Sequence, residues 1–284
     1  TAAVMQQIVG NPVKYPVFTS YADDAKVNYT GVSPFRNLFG DMTDTSFTTA
    51  SHKCSAFFID QLSSTSDPRM AQWVRIVGSD DVHGVVSGVV EPDGTGASVM
   101  NPAVLKQYTT PVWFMTSSEL FFILSEAAHT GMIPGGEAAA EAYYEQAVTN
   151  SIRQWNPSIS DANIDRFLHG TGSKAAYDGT LERIIQQKWV SVFMQGFEAW
   201  CDYRRTGYPQ LPIGPDVQNE GVLPTRLGYG QMLISTNGDN YRKQVARMKA
   251  AYPVVGRGTA GGDNMLTPVW WSKRALELEN GAMN

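Results

Sequence analysis

The longest regular pattern of apolar positions in the chain runs from Thr180 to Pro209. Apolar residues there recur at steps of three and four, the spacing that places side chains on one face of an α-helix. They are Leu181, Ile184, Ile185, Trp189, Val192, Phe193, Gly196, Phe197, Trp200 and Tyr203. Thr180 has the side chain of an N-cap, and Gly207 and Pro209 end the pattern. We therefore predict one helix of about 27 residues whose apolar face is buried by other helices.

Further helices are predicted on both sides of this one. The same period occurs over 118–131 and again over 136–155, with a short turn of Gly and Pro between the two stretches. Because the turn is short, the two helices must pack antiparallel as a hairpin of the tetratricopeptide type. A third helix is predicted at about 161–168 and a last one over 239–252. Their candidate N-caps are Ser118, Asp161 and Asp239.

The first 116 residues follow a different pattern. Short apolar runs alternate there with Gly, Pro, Asn, Asp, Ser and Thr, which favours turns and loops over long helices. Residues 52–63 are predicted to form a helix, 71–77 a short strand, and the glycine-rich stretch 78–97 a hairpin or a mobile loop. Loop is also predicted over 210–238, over 256–264 and in a frayed tail after Arg274. The chain is predicted to be one mainly α domain with a loop-rich part, 1–116, and a helical part, 117–284.

Composition and charge narrow the class of protein. Of 284 residues, 43% are hydrophobic and 17% are charged, which is typical of a globular chain with a large core. The net charge is −5, and no run of Lys or Arg exceeds the pair Arg204-Arg205, which argues against binding of nucleic acid. No window holds the roughly 18 apolar residues that a membrane span needs. Since the chain opens at Thr1 without an apolar signal segment, we expect a fragment or a processed form.

Several ordered motifs resemble one known family. The segments 183–209, 223–229 (LPTRLGY) and 262–271 (GDNMLTPVWW) resemble the C-terminal half of the SusD/RagB-like outer-membrane lipoproteins, closest to the second SusD-like subfamily. Upstream, DPRM at 67–70 and SELFFILSEAAHTG at 118–131 fit the same family in the same order. The matching positions of the longest motif are Arg183, Gln187, Lys188, Trp189, Glu198, Trp200, Asp202, Arg204, Arg205, Thr206, Gly207, Tyr208 and Pro209.

The resemblance implies an α-rich SusD-like fold with irregular loops, represented here by its C-terminal portion. A signal peptide, a lipidated cysteine and a helical N-terminal half would lie upstream of Thr1. The implied function is non-catalytic: a lipid-anchored protein of the outer-membrane surface captures a nutrient, foremost an oligosaccharide or polysaccharide, and passes it to a TonB-dependent SusC-like transporter. Some relatives take peptide cargo, so the ligand stays open. The sequence departs from the family at Tyr229-Gly230 and Met232-Leu233, which puts a shared role for that loop in doubt.

Acid/base chemistry defines an alternative function. Glycosidases use two carboxyl groups, and Glu198 and Asp202 share one helix face, but the arginines that follow them favour ion pairing over catalysis. Asp80, Asp81 and His83 in the glycine-rich stretch are better candidates by exposure, and they would serve a glycan-active hydrolase. A structural subunit that binds only the transporter is a third hypothesis.

Metal and cofactor signals are weak. His52 and Cys54 are two positions apart and the other histidines stand alone, so no metal site is predicted, although Ca²⁺ near Asp93 or Asp263 stays open. No P-loop, GxSxG or Rossmann fingerprint occurs, and no cofactor is predicted. Cys54 and Cys201 lack CxxC spacing. Cys201 is interpreted as a buried inert thiol, and pairing of the two cysteines stays open.

Aromatic residues offer the richest candidate chemistry, with 7 Trp, 12 Tyr and 12 Phe. A flat ring exposed on a loop presents a polarised apolar face to a sugar, whereas rings at helical spacing build a core. The helical rings of Trp155, Trp189, Trp200 and Tyr203 are therefore interpreted as core. The candidate ligand platforms outside the long helices are Tyr21, Tyr29, Phe39 and Trp73. For these four as well, packing is the commoner role of such rings.

Overall fold

The computed structural model describes residues 1–42, 53–77 and 82–279. The chain divides into two compact units. The first unit comprises Thr1–Val86 and Pro92–Ala199, and the second comprises Ser87–Glu91 and Trp200–Asn284. The division into a loop-rich and a helical part at residue 116 stays a prediction.

Helices dominate the described residues, and the few strands are short. The helices are α1 (Ala2–Val9), α2 (Ala56–Thr65), α3 (Met70–Trp73), α4 (Pro102–Leu105), α5 (Ser117–His129), α6 (Gly136–Trp155), α7 (Asp161–His169), α8 (Leu181–Ser191), α9 (Gly196–Thr206), α10 (Gln231–Thr236), α11 (Gly238–Ala251) and α12 (Lys273–Glu279). The strands are β1 (Ala25–Val27), β2 (Val74–Arg75), β3 (Val99–Met100) and β4 (Val112–Met115). β1 pairs with β4 and β2 with β3, both antiparallel. The predicted mainly α fold class is confirmed. In the part of the chain that is described, no helix is long and apolar enough to cross a bilayer.

The hairpin of α5 and α6 builds the main core of the first unit. α6 has the predicted bounds, and α5 is capped by Thr116, whose Oγ1 accepts the N–H of Glu119 at 3.1 Å. Ser118, the predicted cap, instead donates its hydroxyl to the carbonyl of Ala147 on α6 at 2.8 Å. The buried side chains of this core include Phe121, Phe122, Tyr144, Val148, Ile152, Ile164, Phe167, Leu168 and Ile184.

The predicted single helix over 180–206 is wrong, because α8 ends at Ser191 and α9 begins at Gly196. Between them Met194 has a φ of +73°, a left-handed conformation that an α-helix cannot contain. The start is as predicted, since Thr180 Oγ1 accepts the N–H of Arg183 at 3.1 Å. The predicted apolar face is not continuous either: Phe197 is 81% exposed.

Other sequence-based boundaries also need correction. The helix predicted at 52–63 begins later, as α2, behind the N-cap Ser55. The strand predicted at 71–77 is a helical turn, α3, followed by the two residues of β2. The predicted loop over 210–238 contains α10. Of the tail after Arg274, which is predicted to fray, the part up to Glu279 is helical as α12, and residues 280–284 lie outside the described residues.

The second unit has its own small core. Tyr252, Val255, Leu266 and Ala275 are buried there. α11 lies within one residue of its predicted bounds, but all its side chains are exposed or half-buried. Of the two adjacent tryptophans, Trp271 packs against the guanidinium of Arg204, whereas Trp270 is 80% exposed.

An acid-stabilised contact joins α6 and α7. His169 on α7 lies 2.7 Å from the Oε1 of Glu145 on α6 and 3.0 Å from the Oδ1 of Asp165. These hydrogen bonds, with Glu145 first, raise the pKa of His169 above its ordinary 6.5. The charged ring is favoured in the folded state, so its stabilising contribution is complete below that ordinary value and is lost as pH rises through the raised pKa.

We expect the thermal midpoint of the protein to decrease slightly as pH rises through the raised pKa of His169. The decrease should be small, because the three side chains are partly exposed. The His169→Gln variant should lack this pH-dependent decrease. Thermal melts followed by circular dichroism between about pH 5.5 and about pH 8.5 would measure it. Glu145→Gln should reduce it as well, and an unchanged profile in both variants would contradict the assignment.

Candidate functional site

The four candidate ligand platforms occupy different environments. Trp73 has no exposed surface: its ring stacks at 4.4 Å on Phe193 and lies 5.6 Å from Trp155 and 6.2 Å from Phe58, between centroids. A ring without an accessible face cannot stack on a sugar, so the interpretation of Trp73 as a platform is corrected: it is a core residue. Tyr21, Tyr29 and Phe39 are half-buried.

Tyr21 lines a cleft of about 320 Å³ in the first unit, which we call the aromatic cleft. Its lining residues are Tyr21, Lys26, Val104, Gln107, Thr109, Thr110, Pro111, Trp113, Gln154 and Trp155. Tyr29 and Phe39 do not line it, and their role as ligand platforms stays a prediction. The cleft therefore combines one of the candidates with two tryptophans that come from other segments.

Local hydrogen bonds fix the turn that carries Tyr21. Ser20 accepts the N–H of Ala22 at 3.3 Å, and Asp23 Oδ2 accepts the N–H groups of Thr19 and Ser20 at 2.8 Å and 3.1 Å. These bonds, together with one from the Thr19 hydroxyl, lower the pKa of Asp23. A carboxylate that closes its own turn in this way holds Tyr21 at the edge of the cleft.

Two other elements supply the facing wall. Lys26 and Trp113 are directly opposite each other in the β1–β4 pair, so their side chains lie on the same face of the sheet. Trp155 is the last residue of α6, and its ring centroid lies 5.1 Å from that of Trp113. Gln154 precedes it on the same helical turn. The end of a helix and one strand pair thus bring together residues that are far apart in the chain.

Three polar atoms around the cleft are buried without a hydrogen-bond partner within the described residues. They are the indole Nε1 atoms of Trp113 and Trp155 and the Oε1 of Gln154. An unsatisfied buried polar group costs about 1–3 kcal/mol, and such groups are rare in native structures. A hydroxyl group can accept from an indole N–H and donate to an amide oxygen. The aromatic cleft therefore has the chemistry to bind a polyhydroxylated ligand between ring faces and polar atoms.

Three lining residues, Trp113, Lys26 and Gln154, are not among the candidates predicted from the sequence. Trp155 was interpreted as core, and it is helical and half-buried, but it also lines the cleft. The run of β-branched and aromatic residues over 112–114, directly after Thr109, Thr110 and Pro111, was a local signal for a short strand that contains Trp113. No local signal showed that this strand would pair beside the end of α6.

A larger groove of about 880 Å³ is a weaker candidate. It lies at the ends of α2, α6 and α7, and most of its lining side chains are hydroxyls and amides. Its single aromatic ring, Phe167, is 6% exposed, and Ser173 Oγ already donates to the Phe167 carbonyl. The groove therefore offers no ring face for stacking.

The motif DPRM forms a buried polar network in the first unit. The Arg69 side chain is fully buried and donates to both oxygens of Asp67 at 2.9 Å and 2.6 Å, to Ser151 at 2.8 Å and to Gln187 at 2.7 Å. Its guanidinium also lies 5.5 Å from the Trp73 ring. These residues hold α3, α6 and α8 together and do not line the aromatic cleft.

Matched residues of the second unit also have structural roles. Arg204 lies between two rings, 3.8 Å from the centroid of Trp200 and 4.6 Å from that of Trp271. Arg226 pairs with Asp263 at 3.0 Å, and the same carboxylate accepts the N–H of Tyr229. The loop that departs from the family pattern is thus anchored through Tyr229.

Most of the acid/base candidates have structural partners or lie outside the described residues. Asp80 and Asp81 lie outside them. His83 Nε2 is 3.3 Å from the carbonyl oxygen of Thr95, and Asp202 pairs with Arg205 at 2.9 Å, as the sequence predicted. Glu198 is exposed.

Neither metal nor thiol chemistry is evident in the part of the chain that the structure describes. No group of three His, Cys, Asp or Glu side chains there could hold a metal ion. Cys54 and Cys201 are free, and burial raises the pKa of Cys54 to about 11. Cys201 is half-buried rather than buried, and its Sγ accepts from Arg204 Nη2 at 3.1 Å.

The sequence matches the model of a known protein family. The SusD-like_2 family, described as starch-binding and associating with the outer membrane, matches residues 1–230. No curated protein matches the sequence.

Solved structures support the same fold. A chitin-binding protein is 28% identical, with a TM-score of 0.71, over 91% of this chain and 57% of its own. A SusD homologue from Bacteroides vulgatus is 21% identical, with a TM-score of 0.75, over 96% of this chain and 58% of its own. A SusD homologue from Bacteroides thetaiotaomicron is 24% identical, with a TM-score of 0.73, over 96% of this chain and 61% of its own. The chain thus spans less than two thirds of the length of these relatives.

Proposed function

Because this chain belongs to the SusD-like_2 family, we propose that it binds a nutrient at the cell surface without converting it, and that the nutrient is an oligosaccharide or polysaccharide. The observation that carries the proposal is the family match over residues 1–230, since the description of that family is starch-binding and outer-membrane association. The 28% identical chitin-binding protein supports the same ligand class.

The aromatic cleft is the site that we assign to this ligand. Sugar rings present apolar C–H faces that stack on aromatic rings, while their hydroxyls form hydrogen bonds at the ring edges. Tyr21, Trp113 and Trp155 supply rings at the cleft, and the unpartnered polar atoms of Trp113, Gln154 and Trp155 supply hydrogen-bonding groups. Because these three atoms are buried, binding would satisfy them only when the side chains turn toward the ligand.

The transporter step and the location rest on the family alone. We propose that the bound glycan is handed to a TonB-dependent SusC-like transporter, and that a lipid anchor upstream of Thr1 holds the protein to the outer membrane. No described residue contributes a separate argument for either step. A peptide ligand and a purely structural role in the transporter complex are the competing outcomes of the binding experiment.

Replacing Tyr21 by alanine is expected to weaken glycan binding by about tenfold, because one ring face leaves the cleft. Isothermal titration calorimetry against a panel of polysaccharides and peptides would measure this loss. Tyr29→Ala is the matched control, since Tyr29 is also a half-buried loop tyrosine but does not line the cleft. If glycan binding is lost in Tyr29→Ala but not in Tyr21→Ala, the ligand site lies on the other loops and not in the aromatic cleft.

A second measurement, on the glycan that binds, tests whether the protein is catalytic. Incubation of the bound glycan with the protein should release no shorter products. Turnover that is abolished by Asp81→Asn would favour the hydrolase hypothesis. If the folded protein binds no member of the panel, the assignment of a glycan site in this chain is wrong.

A further inference from the structure

The aromatic cleft has more unused hydrogen-bond donors than unused buried acceptors. We propose that the sugar unit bound there carries a carboxylate, as a uronic acid does. This inference rests on the proposed function, because it names the class of glycan that the same cleft would bind. It follows from the charges and hydrogen-bonding groups that line the cleft.

The charge of the cleft is positive although the whole chain carries −5. Lys26 is the cation, and none of the ten described residues that line the cleft is an Asp or a Glu. The Lys26 ammonium has no hydrogen bond or ion pair within the described residues, and it lies beside Trp113 in the β1–β4 register. A ligand carboxylate at this position would meet one positive charge and no competing carboxylate from the cleft wall.

The donor count points the same way. Among the buried atoms without partners, the indole N–H groups of Trp113 and Trp155 are two donors, against one acceptor, Gln154 Oε1. The half-buried Lys26 ammonium adds a third donor group to the cleft. The Gln107 amide N–H₂ and the Thr110 hydroxyl already donate to backbone carbonyls. A carboxylate is an acceptor-only group with about four lone-pair sites, whereas a sugar hydroxyl must also donate. A charged acceptor also forms the stronger hydrogen bonds.

The carboxylates nearest to Lys26 in the sequence are those of Asp23 and Asp24, and neither lines the cleft. Asp24 is buried outside the cleft lining, and its Oδ1 accepts the N–H of Ser117 at 2.7 Å. Asp23 accepts from its own turn. Neither side chain forms a close ion pair with Lys26 in the structure as described. Burial raises the pKa of Asp24, and the charge of Lys26 opposes that rise only in part, while Asp24 Oδ2 is buried without a hydrogen-bond partner.

The experiment compares acidic oligosaccharides with neutral partners of the same linkage and length. Oligogalacturonides, oligoglucuronides and oligomannuronides are each paired with the product in which the carboxyl groups are reduced to hydroxymethyl groups, and a chito-oligosaccharide is included. Calorimetry with the 284-residue chain should show that one acidic ligand binds roughly five- to tenfold more tightly than its reduced partner at low salt. This preference should shrink as the salt concentration rises.

Lys26→Met should abolish the preference for the acidic ligand, whereas Lys26→Arg should retain it. Lys14→Met is the control, because Lys14 is exposed and does not line the cleft. Equal or tighter binding of the neutral partners, a preference for the chito-oligosaccharide, or an acidic preference that survives in Lys26→Met would overturn the carboxylate proposal while leaving glycan binding in place. If no glycan binds the folded protein, the proposed function itself fails, and this inference fails with it.

Discussion

Replacing Arg69 by methionine is expected to lower the free energy of unfolding of the first unit by about 3–5 kcal/mol. The guanidinium is fully buried and donates to Asp67, Ser151 and Gln187. Methionine fills much of the volume but leaves the Asp67 carboxylate, 1% exposed, without its counter-charge. A buried charge that has lost its partner keeps the whole cost of desolvation, so this effect exceeds that of losing an exposed ion pair.

Urea unfolding followed by tryptophan fluorescence would measure the change. Arg166→Met is the matched control: this arginine is exposed, it donates to Asn163 alone among the described residues, and its replacement should stay within about 0.5 kcal/mol. The double variant Asp67→Leu with Arg69→Met should be more stable than the sum of the single changes predicts, because no unpaired charge remains. A loss below about 1 kcal/mol in Arg69→Met would show that the network contributes little to stability.

The hairpin of α5 and α6 could be predicted from the sequence because its information is local. The apolar period of 136–155 is unbroken, and the turn before it contains Gly131, Gly135 and Gly136, all of which have positive φ in the structure. An antiparallel arrangement follows from the short turn alone. The bounds of α6 were therefore correct to the residue.

The break between α8 and α9 could not be predicted in the same way. Its residues, Val192 to Gln195, include neither Gly nor Pro, and their side chains are compatible with a helix. In the structure, the ring of Phe193 stacks on Trp73 and on Phe58, at 4.4 Å and 5.4 Å between centroids. These partners lie far earlier in the chain, so the packing that accompanies the break is not present in any local pattern.

The candidate site shows the same division between local and non-local information. Tyr21 could be nominated because it lies in a segment rich in turn residues, where aromatic rings are often accessible. Trp113 and Gln154 could not, because only the pairing of β1 with β4 beside the end of α6 makes them neighbours of Tyr21. Trp73 was nominated by the same reasoning as Tyr21 and proved to be core, since a tryptophan in a short irregular segment can equally well anchor that segment.

Replacing Trp73 by alanine is accordingly expected to act on stability first, with a loss of about 3–5 kcal/mol in the free energy of unfolding. The ring is fully buried and contacts Phe58, Trp155 and Phe193. Trp73→Phe should cost less, because it keeps an aromatic ring and removes an indole N–H that has no partner within the described residues. Trp270→Ala, at an 80% exposed tryptophan, should stay within about 0.5 kcal/mol.

Glycan binding by the Trp73 variants separates a core residue from a ligand platform. Trp155 lies edge-on to Trp73 and also lines the aromatic cleft, so the alanine variant should bind more weakly even at temperatures where it remains folded. The phenylalanine variant keeps a ring beside Trp155 and should bind nearly as well as the unmodified protein. If Trp73→Ala keeps the stability of the unmodified protein and yet loses glycan binding, then Trp73 contacts the ligand. The binding site would in that case include Trp73.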